Sequence, residues 1–258
     1  MSETLAALLI PADLSVFAFS ALLVVSFLAS FLSVVCGVGG GTLLVTSMAV
    51  WMPLNVVVPV HSVIQLSSNL SRISISYRSI RWPVALGLGL GTLVGVGIGA
   101  GIVANAPAEL MQIVLCVFVI YTVWGTMPTM HSPPNWLHGV VGLLTSILSM
   151  LIGATGPLVA AYVRTLKLDR FAYIGTLSFT LGLQNALKAA AFVWIGFAFA
   201  EFIPFILALM IIGFFGTWAG RYAIGKMNEA LFQNLLRGVL TLLALRLGYT
   251  GVMDFFIN

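Results

Sequence analysis

The amino-acid sequence predicts an all-α integral membrane fold of two inverted five-segment repeats, with 8–10 transmembrane helices that include short broken or re-entrant ones. Three observations lead there: an apolar composition, ten apolar runs along 258 residues, and a match between the two halves at constant spacing. Of the residues, 60% are hydrophobic and 7% charged, against roughly 45–50% and 25% in soluble domains. So little charge cannot cover a water-soluble surface. At roughly 20 apolar residues per bilayer crossing, the spans fill the chain, so 1–258 is expected to be a single membrane domain.

Apolar runs broken by Gly, Pro or charge place helices at 14–36, 41–52, 56–80, 83–104, 108–127, 136–152, 155–166, 171–197, 203–224 and 229–250. The residues before the first run carry acids where a cleaved secretory signal would carry Lys or Arg, so this helix is expected to be retained. The second and seventh runs would each rise only about 18 Å, short of a hydrocarbon core about 30 Å thick. Each is therefore expected to be part of a broken helix or a re-entrant hairpin. The third and eighth are long and carry a polar face. The fourth holds Gly87, Gly91, Gly95 and Gly99 at a spacing of four, and the ninth holds Gly216 and Gly220. Such stripes serve close helix packing; a phosphate loop would need GK followed by Ser or Thr, and a dinucleotide fingerprint a strand and a following acid.

The halves match residue by residue. At a constant offset of 116, Gly37 falls on Gly153, Gly40 on Gly156, Ser62 on Ser178, Asn69 on Asn185, and Arg72 on Lys188. An offset of 121 then sets Pro83 on Pro204, Gly95 on Gly216, Gly99 on Gly220, and Gln112 on Gln233. The repeats are expected to be 14–127 and 136–250. Five segments per half invert the second copy, and loop charge agrees: Arg78 and Arg81, then Arg164, Lys167 and Arg170, then Arg221 and Lys226 all fall on one side. By the positive-inside rule that side is the cytoplasm. A cell inner (plasma) membrane location with both termini periplasmic follows.

Two groups of residues carry the expected site. In SVVCGVGGGTLL, Gly37, Gly39, Gly40 and Gly41 break a membrane segment, and IGATGPLV repeats the break with Gly153, Thr155, Gly156 and Pro157. Irregular backbone survives in a membrane only inside protein or along a wet cavity, and the half-helix that follows offers N–H groups and a positive dipole end to an anion. In QLSSNLSR, Gln65, Ser68, Asn69 and Arg72 share one helix face by spacings of three and four. The second half answers with Ser178, Gln184, Asn185 and Lys188. An intramembrane cation costs at least roughly 2.5–3.5 kcal/mol, and no acid lies near either in sequence, so an anionic substrate is the natural partner.

The remaining polar residues receive lesser roles. His61 is a candidate coupling group beside the site, His131 and His138 are expected in a loop, and Arg237 either lines the cavity or packs near Gln233. Cys36 and Cys116 read as apolar packing residues, with no metal-ligand spacing and no disulfide. No cofactor is expected. The net charge of +4 is scattered between apolar runs and forms no nucleic-acid stripe. A small anion and membrane lipid are the expected partners, with self-association into a homodimer left open.

At GVGGGTLL, the polar third helix and GATGPLV, the chain resembles the TauE/SafE family, also called 4-toluene sulfonate uptake permeases or sulfite exporters. The resemblance covers nearly the whole chain; Thr155 and Pro157 stand where the first half has glycines. It implies transport of sulfite, sulfoacetate, thiosulfate or other organosulfonates, in some members with an ion gradient. Together these readings predict a secondary transporter, an exporter by expectation, working by alternating access. An anion channel and an uptake permease for another small organic anion are the alternatives. An enzyme is not expected, because the spans hold no HExxH, paired carboxylates or Ser/His/Asp set; a non-transporting scaffold would show no flux.

Overall fold

The computed structural model describes residues 9–11, 14–35, 39–126, 133–223 and 229–257, with no strand among them. In chain order the helices are α1 (Val16–Val35), α2 (Gly40–Met48), α3 (Leu54–Ser76), α4 (Trp82–Val103), α5 (Ala108–Trp124), α6 (Trp136–Ile152), α7 (Gly156–Thr165), α8 (Arg170–Trp194), α9 (Ile203–Ala223) and α10 (Glu229–Ile257). Short 3₁₀ turns, Tyr77–Ser79 and Phe199–Phe202, follow α3 and precede α9. Each expected segment is thus a helix, and the boundaries move where local chemistry decides. The second run stops at Met48, and α10 continues to Ile257 past the expected end at 250. At the start of α8, the Asp169 carboxylate accepts hydrogen bonds from the Phe171 and Ala172 amides, both at 3.0 Å, a side-chain N-cap.

Four stretches are long and apolar enough to cross a membrane: Val16–Val35, Trp82–Val103, Phe199–Ala223 and Gln233–Phe256. The outer surface is apolar, unlike that of a soluble protein, and polar side chains are set within a largely apolar interior. Leu90, Leu93, Ile211, Phe214 and Leu242 lie exposed on the outside, while Ser62, Asn69, Ser146, Gln184 and Lys188 are buried. Hydrocarbon around the bundle favours that arrangement, because a polar side chain facing lipid finds no partner. Trp82 and Trp136 open α4 and α6, and Trp124 and Trp194 close α5 and α8, all four exposed; tryptophan favours the membrane–water boundary.

Glycines decide which helices touch most closely. A Cβ on Gly91 would run into the Gly139 carbonyl, one on Gly95 into that of Leu143, and one on Gly99 would lie 2.7 Å from Met150 Cγ, so α4 is clasped to α6. On the other side, a Cβ on Gly216 would run into the Phe27 carbonyl, and one on Gly220 would lie 3.0 Å from that of Phe31, clasping α9 to α1. In both pairs residue numbers rise together, so the helices run parallel. Leu143 and Phe27 stand 116 residues apart, the spacing of the sequence repeat. At the centre α3 packs on α8: Gly182 meets Asn69 and Ile73, while Gly175 meets Ser76 and Ile80, an antiparallel pair. α5 and α10 are also antiparallel, with Gly248 against Cys116 and Gly251 against Gln112.

Candidate functional site

Helices α2 and α7, of nine and ten residues, rise only about 15 Å or less and cannot cross alone. The left-handed backbone at Gly39 (φ +108°) opens α2. A left-handed residue at the same stage of the second half, Gly153 (φ +86°), ends α6. Only glycine takes these angles without strain. Gly40 is packed so tightly that a Cβ would strike the Ala29 carbonyl and the Ser33 hydroxyl. Thr155 is the N-cap of α7 and Pro157 lies in its first turn, where a missing N–H costs nothing.

Between the two breaks lies a cavity of about 50 Å³, several times the roughly 10–15 Å³ that one water needs. Its walls include Gly39, Gly41 and Thr42 from the first break, Gly153, Thr155 and Gly156 from the second, Gln65, Asn69 and Arg72 from α3, and Gln184 and Asn185 from α8. The Arg72 guanidinium donates to Ser68 Oγ at 3.0 Å. Thr155 Oγ1 donates to Gln184 Oε1 at 3.3 Å, and Gln184 Nε2 donates to Ser146 Oγ at 2.9 Å. Asn69 and Asn185 repeat one geometry: each carboxamide nitrogen donates to the carbonyl four residues back, Gln65 or Leu181, at 2.8 Å. The His61 ring stands between the breaks, its Nε2 3.1 Å from the Gly41 carbonyl oxygen.

Most of the expected site residues therefore converge, and some do not. Lys188 is fully buried, but its Nζ donates to Gly153 O at 2.7 Å and Ser149 Oγ at 3.0 Å. It sits behind the second break and is not among the residues lining the cavity. Gly40, Ser68 and Ser178 are likewise not among the residues lining the cavity. Gly37 and Cys36 lie outside the described residues, as do His131 and Lys226. The loop expected around His138 is corrected: His138 belongs to α6, is buried, and its Nδ1 is 2.6 Å from the Tyr162 hydroxyl. Arg237 is exposed on α10 and does not line the cavity. Sequence reasoning missed Ser33 and Thr42 in the wall and Ser146 and Ser149 as supports. A signal existed, because the offset of 116 sets Ser30 on Ser146 and Ser33 on Ser149.

The cavity presents one cation and a ring of neutral hydrogen-bonding groups, with no Asp or Glu among its lining residues. That set holds an anion by charge-assisted hydrogen bonds. Among the described residues, no cluster of His, Cys, Asp or Glu could hold a metal ion. Compared with known families, the chain matches the sulfite exporter TauE/SafE family over residues 22–247. The chain belongs to the TauE/SafE family. Both glycine breaks, the whole polar face of α3 and that of α8 fall inside the matched stretch. TauE/SafE proteins are membrane transporters of sulfur anions or related substrates, which agrees with the multi-pass apolar helices of this one. Neither a curated protein nor a solved structure matches the chain.

Proposed function

We propose that this TauE/SafE protein is a secondary transporter that exports a small sulfur-containing anion, sulfite, sulfoacetate or a related organosulfonate, across the inner membrane by alternating access. One observation carries the reading: a cavity between two glycine breaks, with a guanidinium in its wall and no carboxylate among its lining residues. Broken helices meeting at a repeat interface recur as transporter substrate sites. Two inverted repeats are supported by the antiparallel pairing of α3 with α8 and of α5 with α10, since equivalent helices of an inverted pair must run in opposite directions. Arg81 and Lys167 line one common pocket at an end of the bundle, which supports a cytoplasmic basic end and periplasmic termini under the positive-inside rule. Outward movement of an anion runs down an inside-negative potential, so export needs no intramembrane carboxylate.

Gly39, Gly41, Gln65, Asn69, Arg72, Gly153, Thr155, Gly156, Gln184 and Asn185 form the substrate wall in this reading. Purified protein in liposomes is expected to show saturable sulfite counterflow. Flux that rises linearly with concentration and shows no counterflow would identify a channel instead, and no flux of any anion would favour a scaffold.

Lys188 acts as a positioning residue that tethers the second break. Replacing it with Met removes a buried charge costing roughly 2.5–3.5 kcal/mol in a membrane and leaves two acceptors unpaired at about 1–3 kcal/mol each. These terms nearly offset, so Lys188→Met is expected to shift the unfolding temperature little while weakening sulfite binding. Binding equal to that of the unaltered protein would remove Lys188 from the site.

A further inference from the structure

A second cavity, of about 350 Å³, opens at one end of the bundle and shares no lining residue with the cavity between the glycine breaks. Three connections meet there: residues within 81–84 at the start of α4, within 133–138 at the start of α6, and 165–168 between α7 and α8. The volume falls in the range of about 300–1,000 Å³ typical of small-molecule sites.

Two cations, Arg81 and Lys167, line this cavity together with Asn135 and His138, and no Asp or Glu is among its lining residues. Asp169 is the acid nearest Lys167 in sequence, and its carboxylate is taken up by the Phe171 and Ala172 amides. Backbone contacts hold both cations in place. The Arg81 N–H donates to Thr176 Oγ1 of α8 at 3.0 Å, and the Lys167 N–H donates to the Arg164 carbonyl at 3.2 Å. His138, the buried member of the lining, is fixed by its contact with Tyr162.

Lys167 also carries a conformational cost. Among the described residues it is the one non-glycine with left-handed backbone, at φ +51°. It follows Leu166, the C-cap of α7, where helices very commonly end on glycine because glycine pays no Cβ penalty at that angle. Backbone held in a sparsely populated region gathers at ligand clamps and other functional sites. A lysine at this position sets a cation on the cavity that glycine would not supply.

Two cations without a carboxylate suit an anion with several acceptor oxygens, and the rim of the cavity narrows the choice. Trp82 follows Arg81 and Trp136 follows Asn135, and both tryptophans are exposed, which sets the opening at the membrane–water boundary. Pro83, Val84, Leu166 and Leu168 add apolar wall beside the charges. Basic pockets between membrane helices at that level take phosphate headgroups whose chains stay in the bilayer. We propose that this cavity binds the phosphodiester headgroup of an anionic membrane lipid, with Arg81 and Lys167 on the phosphate oxygens. A lipid seated there bridges the first half of the chain to the second. The site stands apart from the proposed anion route and does not rest on it.

Native mass spectrometry of the detergent-purified protein, titrated with phosphatidylglycerol and with zwitterionic phosphatidylethanolamine, tests the assignment. Each cation beside an anionic headgroup is expected to contribute about fivefold to binding, so phosphatidylglycerol should bind at least about tenfold more tightly than phosphatidylethanolamine. Arg81→Gln and Lys167→Gly should each weaken phosphatidylglycerol about fivefold. Without lipid, Lys167→Gly should melt at the same temperature as the unaltered protein or higher, because glycine relieves the left-handed backbone; that separates a lost ligand contact from a lost fold. Arg221→Gln, near the end of α9 and outside the lining, should bind as the unaltered protein does. Equal affinity for the two lipids, or an equal loss in Arg221→Gln, overturns the inference by showing diffuse attraction to a basic surface. Inorganic phosphate that displaces the lipid at equal concentration would assign the cavity to a soluble phosphate and overturn the lipid reading.

Discussion

Arg72→Ala is expected to abolish anion flux in liposomes while the protein still purifies as a folded membrane protein. The guanidinium lies in the cavity wall and donates to Ser68 Oγ at 3.0 Å, and no carboxylate lines that cavity to pair with it. A hydrogen bond to a charged group contributes about 1.5–3 kcal/mol, so binding alone should weaken by roughly tenfold to more than hundredfold. Folding should survive, because the substitution removes a charge that is costly within a membrane. Arg72→Lys keeps the charge but loses the planar fork and is expected to fall between the two. Normal counterflow in Arg72→Ala would remove the cation from the site.

A second large effect is expected at Gly91. Its missing side chain lets α4 sit directly on the Gly139 backbone of α6, so Gly91→Val must push one helix axis away from the other. Overpacking in a core costs typically 1–3 kcal/mol, and here the obstacle is backbone that cannot rotate aside. Gly91→Val is expected to lower the unfolding temperature sharply and reduce the yield of monodisperse protein. Gly97 provides the control on the same helix: a Cβ there would meet nothing within 4 Å, and Gly97→Leu should leave stability nearly unchanged. Similar melting of the two variants would show that the stripe does not hold the helices together.

The helices were legible in the sequence because apolar runs and their breaks reflect a solvent, the bilayer, that acts on every residue alike. The glycine breaks were legible as well, since Gly39 and Gly153 need left-handed backbone that few other residues tolerate. Depth within the wall was not. Spacing set Lys188 on a polar face of α8, but whether its amine ends in the cavity or behind it depends on the Gly153 carbonyl and Ser149, contributed by another helix. His138 shows the same limit, because Pro133 and Pro134 suggested a loop while the tertiary partner Tyr162 lay 24 residues away.

The glycine clasps also bear on how the chain comes to be assembled. The partner of α1 is α9 and that of α4 is α6, so each half lends its first helix to the fourth helix of the other. During synthesis, the carbonyls of Phe27 and Phe31 wait without their neighbour until Gly216 and Gly220 have entered the membrane. The first half therefore cannot finish folding before the second arrives, and a chain interrupted between them would leave an open groove in lipid. These two clasps make the molecule one interlaced body and not two halves joined by a linker.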